Sequence, residues 1–563
     1  MRLLFFLTLI QLSIAASAQD STITIRRVYH KFWIQFSNKS SNPFSVERPH
    51  EFLSQKSLDR RSKQNISINE SDLPVTPAFV DSVINAGVKL WVKSKWLNGV
   101  VIETEDSIAL SRIDSFLFVT DILPVAAYTI IDSSDTSGIE SIPLVSSPIL
   151  TNNLLFDEEL YGNSFNQINM MHGEYLHELG FRGDGMVIAV LDAGFYHADS
   201  IAAFDSLWMN NRIPGYRDFV SEVNDNIFYR STHGMSVLST MGGNIPGEMV
   251  GTAPGASYWL LRTEDAATEF RIEEYNWAAG AEFADSAGAD VINSSLGYTT
   301  FNDSSMNYSY NDIDGNTAIS TQAADFAARK GMIVVNSAGN QGNSFWHFIS
   351  APADADSVLA VGAVDAQMQV TTFSSRGPSF DGRVKPNVAA QGRDAVIING
   401  SGNISTGNGT SFASPITAGL VACLWQAFPE KSGAEIIADI QESASHFSQP
   451  NDSFGYGIPD FRLAFLKMQE EKGSPYVTER LPIAYPNPFG ENLDVMVFAD
   501  TEDDYAVELF DVLGRRILHV EQHLGEQRFH EFELQNPDML QKGVYLIRAG
   551  RKGETKVIRV VKM

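Results

Sequence analysis

The sequence predicts an α/β fold: a parallel sheet with helices on both faces, preceded by a small α+β unit and followed by a C-terminal all-β sandwich. Three observations carry this. Mid-chain, short continuous apolar runs alternate with helix-spaced stretches, as strands buried on both faces require. Before them, strand-like and helix-like pieces alternate within about 100 residues. After them come turn-bounded segments with period-two alternation. A length of 563 residues also exceeds one hydrophobic core, because domains run to about 100–200 residues.

Taken in order, residues 1–18 read as a secretory signal peptide. Arg2 precedes an apolar run from Leu3 to Ile10, and the small residues Ala16 and Ala18 place the expected cleavage after Ala18. The run is too short to span a bilayer, and no later stretch predicts a transmembrane segment. Residues 19–131 form the α+β unit, with KFWIQF, KLWVKSKW, GVVIET and FLFVTDILPV as strands and FVDSVINAG and SIALSRIDSF as helices. Residues 132–156, rich in Ser, Thr, Asp and Pro, read as an exposed linker with a processing site.

The α/β domain covers residues 157–468. Its strands are MVIAVLDAG, SYWLLRT, DVINSSLG, MIVVNSAGN and VLAVGAVD, and its helices include NWAAGAEFADSAGA and TQAADFAARKG. A second linker, 469–482, leads to residues 483–563, where YAVELFD, RRILHVE, RFHEFEL, GVYLIRAG and TKVIRVVK predict the sandwich.

Composition narrows the function. With 44% hydrophobic and 19% charged residues, global disorder is excluded. The formal net charge of −27 is the wrong sign for tracking phosphates, so no nucleic-acid partner is expected. A single cysteine, Cys423, excludes internal disulfides and Cys-rich zinc modules, and its apolar surroundings predict a buried side chain.

Chemistry has four candidate positions. Asp192 ends an apolar strand, at the sheet edge where open α/β folds bind ligands, though Asp is also a common strand-end turn former. His233 begins a helical pattern, where capping or packing is the plainer role. Ser411 opens an apolar helix behind Gly407 and Gly409, with Pro415 expected in the first turn; it is placed for nucleophilic attack or simply as an N-cap. Asn340 ends a strand between Gly339 and Gln341, as an oxyanion donor or a turn residue.

The segments LDAG, STHGMS, SSLG, SAGNQG, FSSRGP with DGRVKPNV, NGTSFASP and GYGIPD, in this order over about 300 residues, resemble the subtilisin-like serine proteases. The order Asp, His, Ser differs from that of the α/β-hydrolases, and Gly409-Thr410-Ser411 is not their G-x-S-x-G elbow. The resemblance implies a secreted serine endopeptidase acting on protein or peptide substrates. Ser411 would be the nucleophile, His233 the general base and acid, Asp192 the orienting carboxylate, and Asn340 the oxyanion donor. It also implies that Ser295, Leu296 and Gly297 line the pocket for the residue before the scissile bond, with Ser350 near its floor; no acid stands there, so a neutral or apolar preference is expected. Two departures, Ala193 and Met235 where the family usually carries hydroxyls, motivate the alternative of a catalytically silent surface or binding module.

The same resemblance implies that residues 19–131, which stand where subtilisin-like zymogens carry one, are an inhibitory, chaperone-like prodomain. The last unit resembles the type A sorting domain of type IX secretion in Bacteroidota through YPNPF (Tyr485 to Phe489), ELFDVLGRR and GVYLIR. That implies the secretion machinery as a partner, with export through the periplasm and outer membrane to the medium or cell surface. No cofactor is required for the chemistry, structural calcium is left open, and a monomer is expected.

Overall fold

The computed structural model describes residues 25–131, 160–221, 223–471, 482–485, 489, 493–499, 501–525, 528–534 and 540–562. The expected signal segment 1–18, the expected linker 132–156 and most of the expected linker 469–482 lie outside the described residues.

The N-terminal unit contains β1 (Ile25–Phe36), α1 (Gln55–Lys63), α2 (Pro77–Ile84), β2 (Lys89–Ser94), β3 (Gly99–Glu103), α3 (Ser107–Asp114) and β4 (Val119–Ile131). Its antiparallel sheet has the order β2-β3-β1-β4. Successive side chains of a strand point to opposite faces, and both faces here are apolar. Ile34, Val100 and Ile102 pack on Val80 and Val83 of α2 and Ala109 and Ile113 of α3. Their neighbours Trp33 and Val101 turn the other way, into a cluster shared with the next domain.

That domain has a seven-stranded sheet built from β5 (Val187–Asp192), β6 (Gly215–Asp218), β7 (Ser257–Arg262), β8 (Val291–Ser294), β9 (Ile333–Ser337), β10 (Val358–Val364) and β11 (Val388–Gln391). The order is β11-β10-β9-β8-β5-β7-β6, and every pairing is parallel. The longer helices are α4 (His233–Gly242), α5 (Ile272–Ala287), α6 (Ile319–Arg329), α7 (Thr410–Ala427), α8 (Gly433–Glu442) and α9 (Phe461–Glu471). Alternate strand residues divide between two cores: Ile188 and Val190 with α4 and α7, Ala189 and Leu191 with α5 and α6. Burial on both faces explains why these strands read as unbroken apolar runs.

The last unit comprises β12 (Ile483–Tyr485), β13 (Asp494–Ala499), β14 (Asp503–Asp511), β15 (Arg516–Leu524), β16 (Arg528–Glu533), β17 (Gly543–Arg551) and β18 (Glu554–Lys562). Two antiparallel sheets, β12-β13-β16 and β15-β14-β17-β18, enclose one core through Val495, Val497 and Phe532 on one side and Val507, Leu509 and Ile547 on the other.

One expectation needs correction. Pro415 is the sixth residue of α7, beyond the first turn, so its missing N–H removes the helical hydrogen bond to the Ser411 carbonyl. The Ser295 hydroxyl donates to that carbonyl instead, at 2.8 Å.

Candidate active site

Asp192, Ser294 and Ser337 end β5, β8 and β9, so the parallel topology gathers three chain segments at one sheet edge. Asp192 is fully buried, and its backbone neighbour Ala193 donates N–H to Oδ1 at 2.7 Å. His233 Nδ1 lies 2.9 Å from Oδ1 and 3.0 Å from Oδ2. Gly234 permits this approach, since a Cβ there would stand 2.4 Å from the Gly194 carbonyl and 2.7 Å from the Asp192 Cβ. Burial of the imidazole opposes its charge, but the Asp192 carboxylate and its hydrogen bond prevail and raise the His233 pKa. One edge of the ring stays open, with 36% of the side chain exposed.

Ser411 is the second residue of α7, where backbone N–H groups lack helical partners. Its hydroxyl donates to the Ser295 carbonyl at 3.4 Å, a loose bond that leaves Oγ free to turn. Asn340 Oδ1 accepts from the Thr410 N–H at 2.8 Å and the Thr410 hydroxyl at 3.0 Å. Both donors fix the amide, so its Nδ2 is the group left to donate, beside the helix start that carries Ser411.

The other expected site residues cluster nearby. Ser295 is buried against Ser411, Leu296 is half-buried, and Gly297 is exposed. Ser350 faces Gly297 so closely that a Cβ on the glycine would meet its Oγ at 2.2 Å. The Ser350 hydroxyl is buried without a hydrogen-bond partner. The two departures also find physical reasons: the Ala193 backbone N–H meets the carboxylate, and Met235 is fully buried in the core beneath α4.

Sequence reasoning missed two features. Asp285 on α5 is fully buried by the N-terminal unit, contacting Arg60 at 2.6 Å, Arg61 at 2.9 Å and Lys95 at 3.0 Å. Beside it, Glu282 accepts from the Lys95 N–H at 2.8 Å, the Trp96 N–H at 3.0 Å and the Ser94 hydroxyl. Glu264, Glu269 and Glu273 converge at the end of β7, where the Tyr298 hydroxyl donates to Glu264. Their signal was the acid-rich stretch from Glu264 to Glu274.

A parallel sheet holding an Asp–His pair at one edge and a serine at the start of a buried helix, in the chain order Asp, His, Ser, defines a subtilisin-like serine peptidase, a hydrolase. The chain belongs to the subtilase family. Residues 183–457 match the Subtilase family, 31–137 the Peptidase S8 propeptide domain of Bacteroidota, and 483–563 the Secretion system C-terminal sorting domain. The chain is 30% identical to Subtilisin E of Bacillus subtilis (strain 168) over 293 residues, which is 52% of this chain and 68% of that protein. It is also 30% identical to Subtilisin DY of Bacillus licheniformis, over 52% of this chain and 93% of that protein. Among solved structures it is similar to MycP1 from Mycobacterium smegmatis, at 22% identity and a TM-score of 0.44, covering 58% of this chain and 89% of that one. The sorting domain marks the chain for secretion or the cell surface, and among the described residues no helix is long and apolar enough to cross a membrane.

Proposed function

We propose that this chain is the zymogen of a secreted serine endopeptidase working through Asp192, His233 and Ser411. The carrying observation is the paired contact of Asp192 with His233 Nδ1, at 2.9 and 3.0 Å, which leaves Nε2 to serve the serine. Ser411 Oγ attacks the scissile carbonyl while His233 takes its proton and then returns it to the leaving amine. Asp192 holds the ring in the tautomer with Nδ1–H and favours its charged form. The Ser411 N–H and the Asn340 amide stabilise the oxyanion, and water then resolves the acyl-enzyme.

The extended substrate pairs with the backbone at Ser295, Leu296 and Gly297. The Ser350 hydroxyl beside Gly297 favours a neutral residue before the scissile bond. No cofactor enters the chemistry.

We assign residues 1–18 to the signal, 19–131 to the prodomain, 132–156 to the processed linker, 157–468 to the protease, 469–482 to a second linker and 483–563 to the sorting domain. The prodomain inhibits and assists folding, the sorting domain engages the type IX machinery for passage through the periplasm and outer membrane, and the released enzyme works as a monomer.

A fluorophosphonate probe on matured protein tests the reading. Label on Ser411 that disappears in Ser411→Ala and falls strongly in His233→Ala is expected; a wild type that takes no label refutes it and leaves a silent binding module.

A further inference from the structure

β8 and β9 pair as far as Ser294 and Asn336, and their backbone pairing stops there. Past that point both chains run beside Ser411. The Ser295 hydroxyl, on one chain, donates to the Ser411 carbonyl at 2.8 Å, and the Gly339 N–H, on the other, donates to the Thr410 hydroxyl at 3.2 Å. A Cβ on Gly297 would collide with Ser350 Oγ, and a Cβ on Gly339 would come within 3.1 Å of the same atom. The two glycines therefore face one hydroxyl, and the space between the chains is a slot that starts beside the nucleophile and ends on Ser350.

Gln341 bridges this slot. Its Nε2 donates to Thr299 Oγ1 at 3.2 Å and its N–H to Ser375 Oγ at 3.0 Å, so the side chain reaches from one wall to the other. Among the described residues neither Ser350 Oγ nor Gln341 Oε1 has a hydrogen-bond partner, although both atoms are buried. Ser350 as a whole is only 4% exposed. A buried polar atom left unpaired costs free energy, and its place is explained when a ligand completes it. Both groups are uncharged, and a charge buried against them would go uncompensated. Ser350 also limits the depth, because its hydroxyl occupies the ground between the two glycines.

We propose that the pocket for the residue before the scissile bond is built for a short carboxamide, so that the enzyme cleaves after asparagine, with Ser350 and Gln341 setting the preference. The inference rests on the serine endopeptidase reading above and narrows its neutral residue to one chemistry. A carboxamide carries an acceptor and donors side by side. Its oxygen accepts from the Ser350 hydroxyl while its NH₂ donates to Gln341 Oε1. The Thr299 hydroxyl can donate as well as accept, so the Gln341 amide can also turn over and offer its NH₂ to the substrate oxygen, with the substrate NH₂ on Ser350. Leucine has nearly the same shape as asparagine but leaves both buried groups unpaired, and phenylalanine or lysine meets Ser350 before it is seated.

The test uses protein matured from the full chain and peptides that differ at one position, with asparagine, leucine, aspartate, phenylalanine or lysine before the scissile bond. The expected kcat/KM for asparagine is at least about tenfold above that for leucine, and further above the other three. Ser350→Ala removes the hydroxyl at little change in size, and Gln341→Met keeps the length without the amide; each should bring asparagine and leucine within about threefold of one another. Ser350→Gly deepens the slot and should raise phenylalanine relative to both. The ratios are read within each protein, so a variant's lower yield does not enter them. A wild type that takes the fluorophosphonate label on Ser411 but cleaves after leucine or phenylalanine at least as fast as after asparagine overturns this inference and leaves the endopeptidase reading standing. An asparagine preference unchanged in both Ser350→Ala and Gln341→Met does the same. A wild type that takes no label overturns both.

Discussion

Truncating Asp285 isolates what holds the N-terminal unit on the protease. In the assembled chain Arg60, Arg61 and Lys95 surround this buried carboxylate at 2.6, 2.9 and 3.0 Å. Removing one partner of a buried ion pair costs about 3–5 kcal/mol, because the other charge is left buried. Arg61 keeps Asp72 at 2.8 Å, and Arg60 keeps the carbonyls of Ala289 and Lys330. The lower end therefore applies, about 3 kcal/mol, or roughly 100-fold in affinity at 1.4 kcal/mol per decade. The assay is inhibition of matured protease by the 19–131 segment added in trans, comparing wild type with Asp285→Ala. On the mature enzyme this position lies on the surface of α5, so peptide cleavage without the segment stays unchanged. An inhibition constant within threefold of wild type would refute the reasoning, and Arg60→Ala in the segment should lose most of its effect against Asp285→Ala. The pH sign follows: burial alone would raise the Asp285 pKa, but Lys95, Arg61 and Arg60 hold it well below the usual carboxylate range. The stabilisation is full above the ordinary aspartate pKa of about 3.9 and is lost only as pH falls through the depressed value. Mild acid near pH ~5 therefore does not release the segment through this group.

Three further outcomes are expected. Asp192→Asn lowers kcat about 10⁴-fold, the loss typical of removing a triad carboxylate's charge, and moves the acid limb of kcat/KM to lower pH, because Asp192 raises the His233 pKa above the ordinary histidine value; an unmoved limb would contradict the contact. Asn340→Ala lowers kcat about 10²–10³-fold with little change in KM; equal losses in kcat and binding would remove it from the oxyanion site. Ser295→Ala strips the side-chain donor that compensates Pro415 at the Ser411 carbonyl, and urea unfolding should register about 1–3 kcal/mol of lost stability.

Much of the architecture was legible because the relevant forces are local or periodic. The runs at Val187–Asp192, Val291–Ser294 and Ile333–Ser337 announce buried strands by their continuous apolar character. Neither β6, whose sequence GYRD holds no apolar run, nor β11, whose sequence VAAQ is half alanine, stands out. On α5, Asp285 and Glu282 carry no local sign of their partners, yet both are buried beneath the N-terminal unit.

The sequence by itself determined the order of units, the strand-end Asp192, the helix-start His233 and Ser411, and the family likeness, since each rests on spacing within one segment. Tertiary structure alone decided which of these meet. The His233–Asp192 contact joins residues 41 apart, and the Glu264–Tyr298 contact joins residues 34 apart. The Ser295 hydroxyl reaches a carbonyl 116 residues away. Those distances are set by parallel strand order, which depends on how apolar faces pack across the whole sheet rather than on any local pattern.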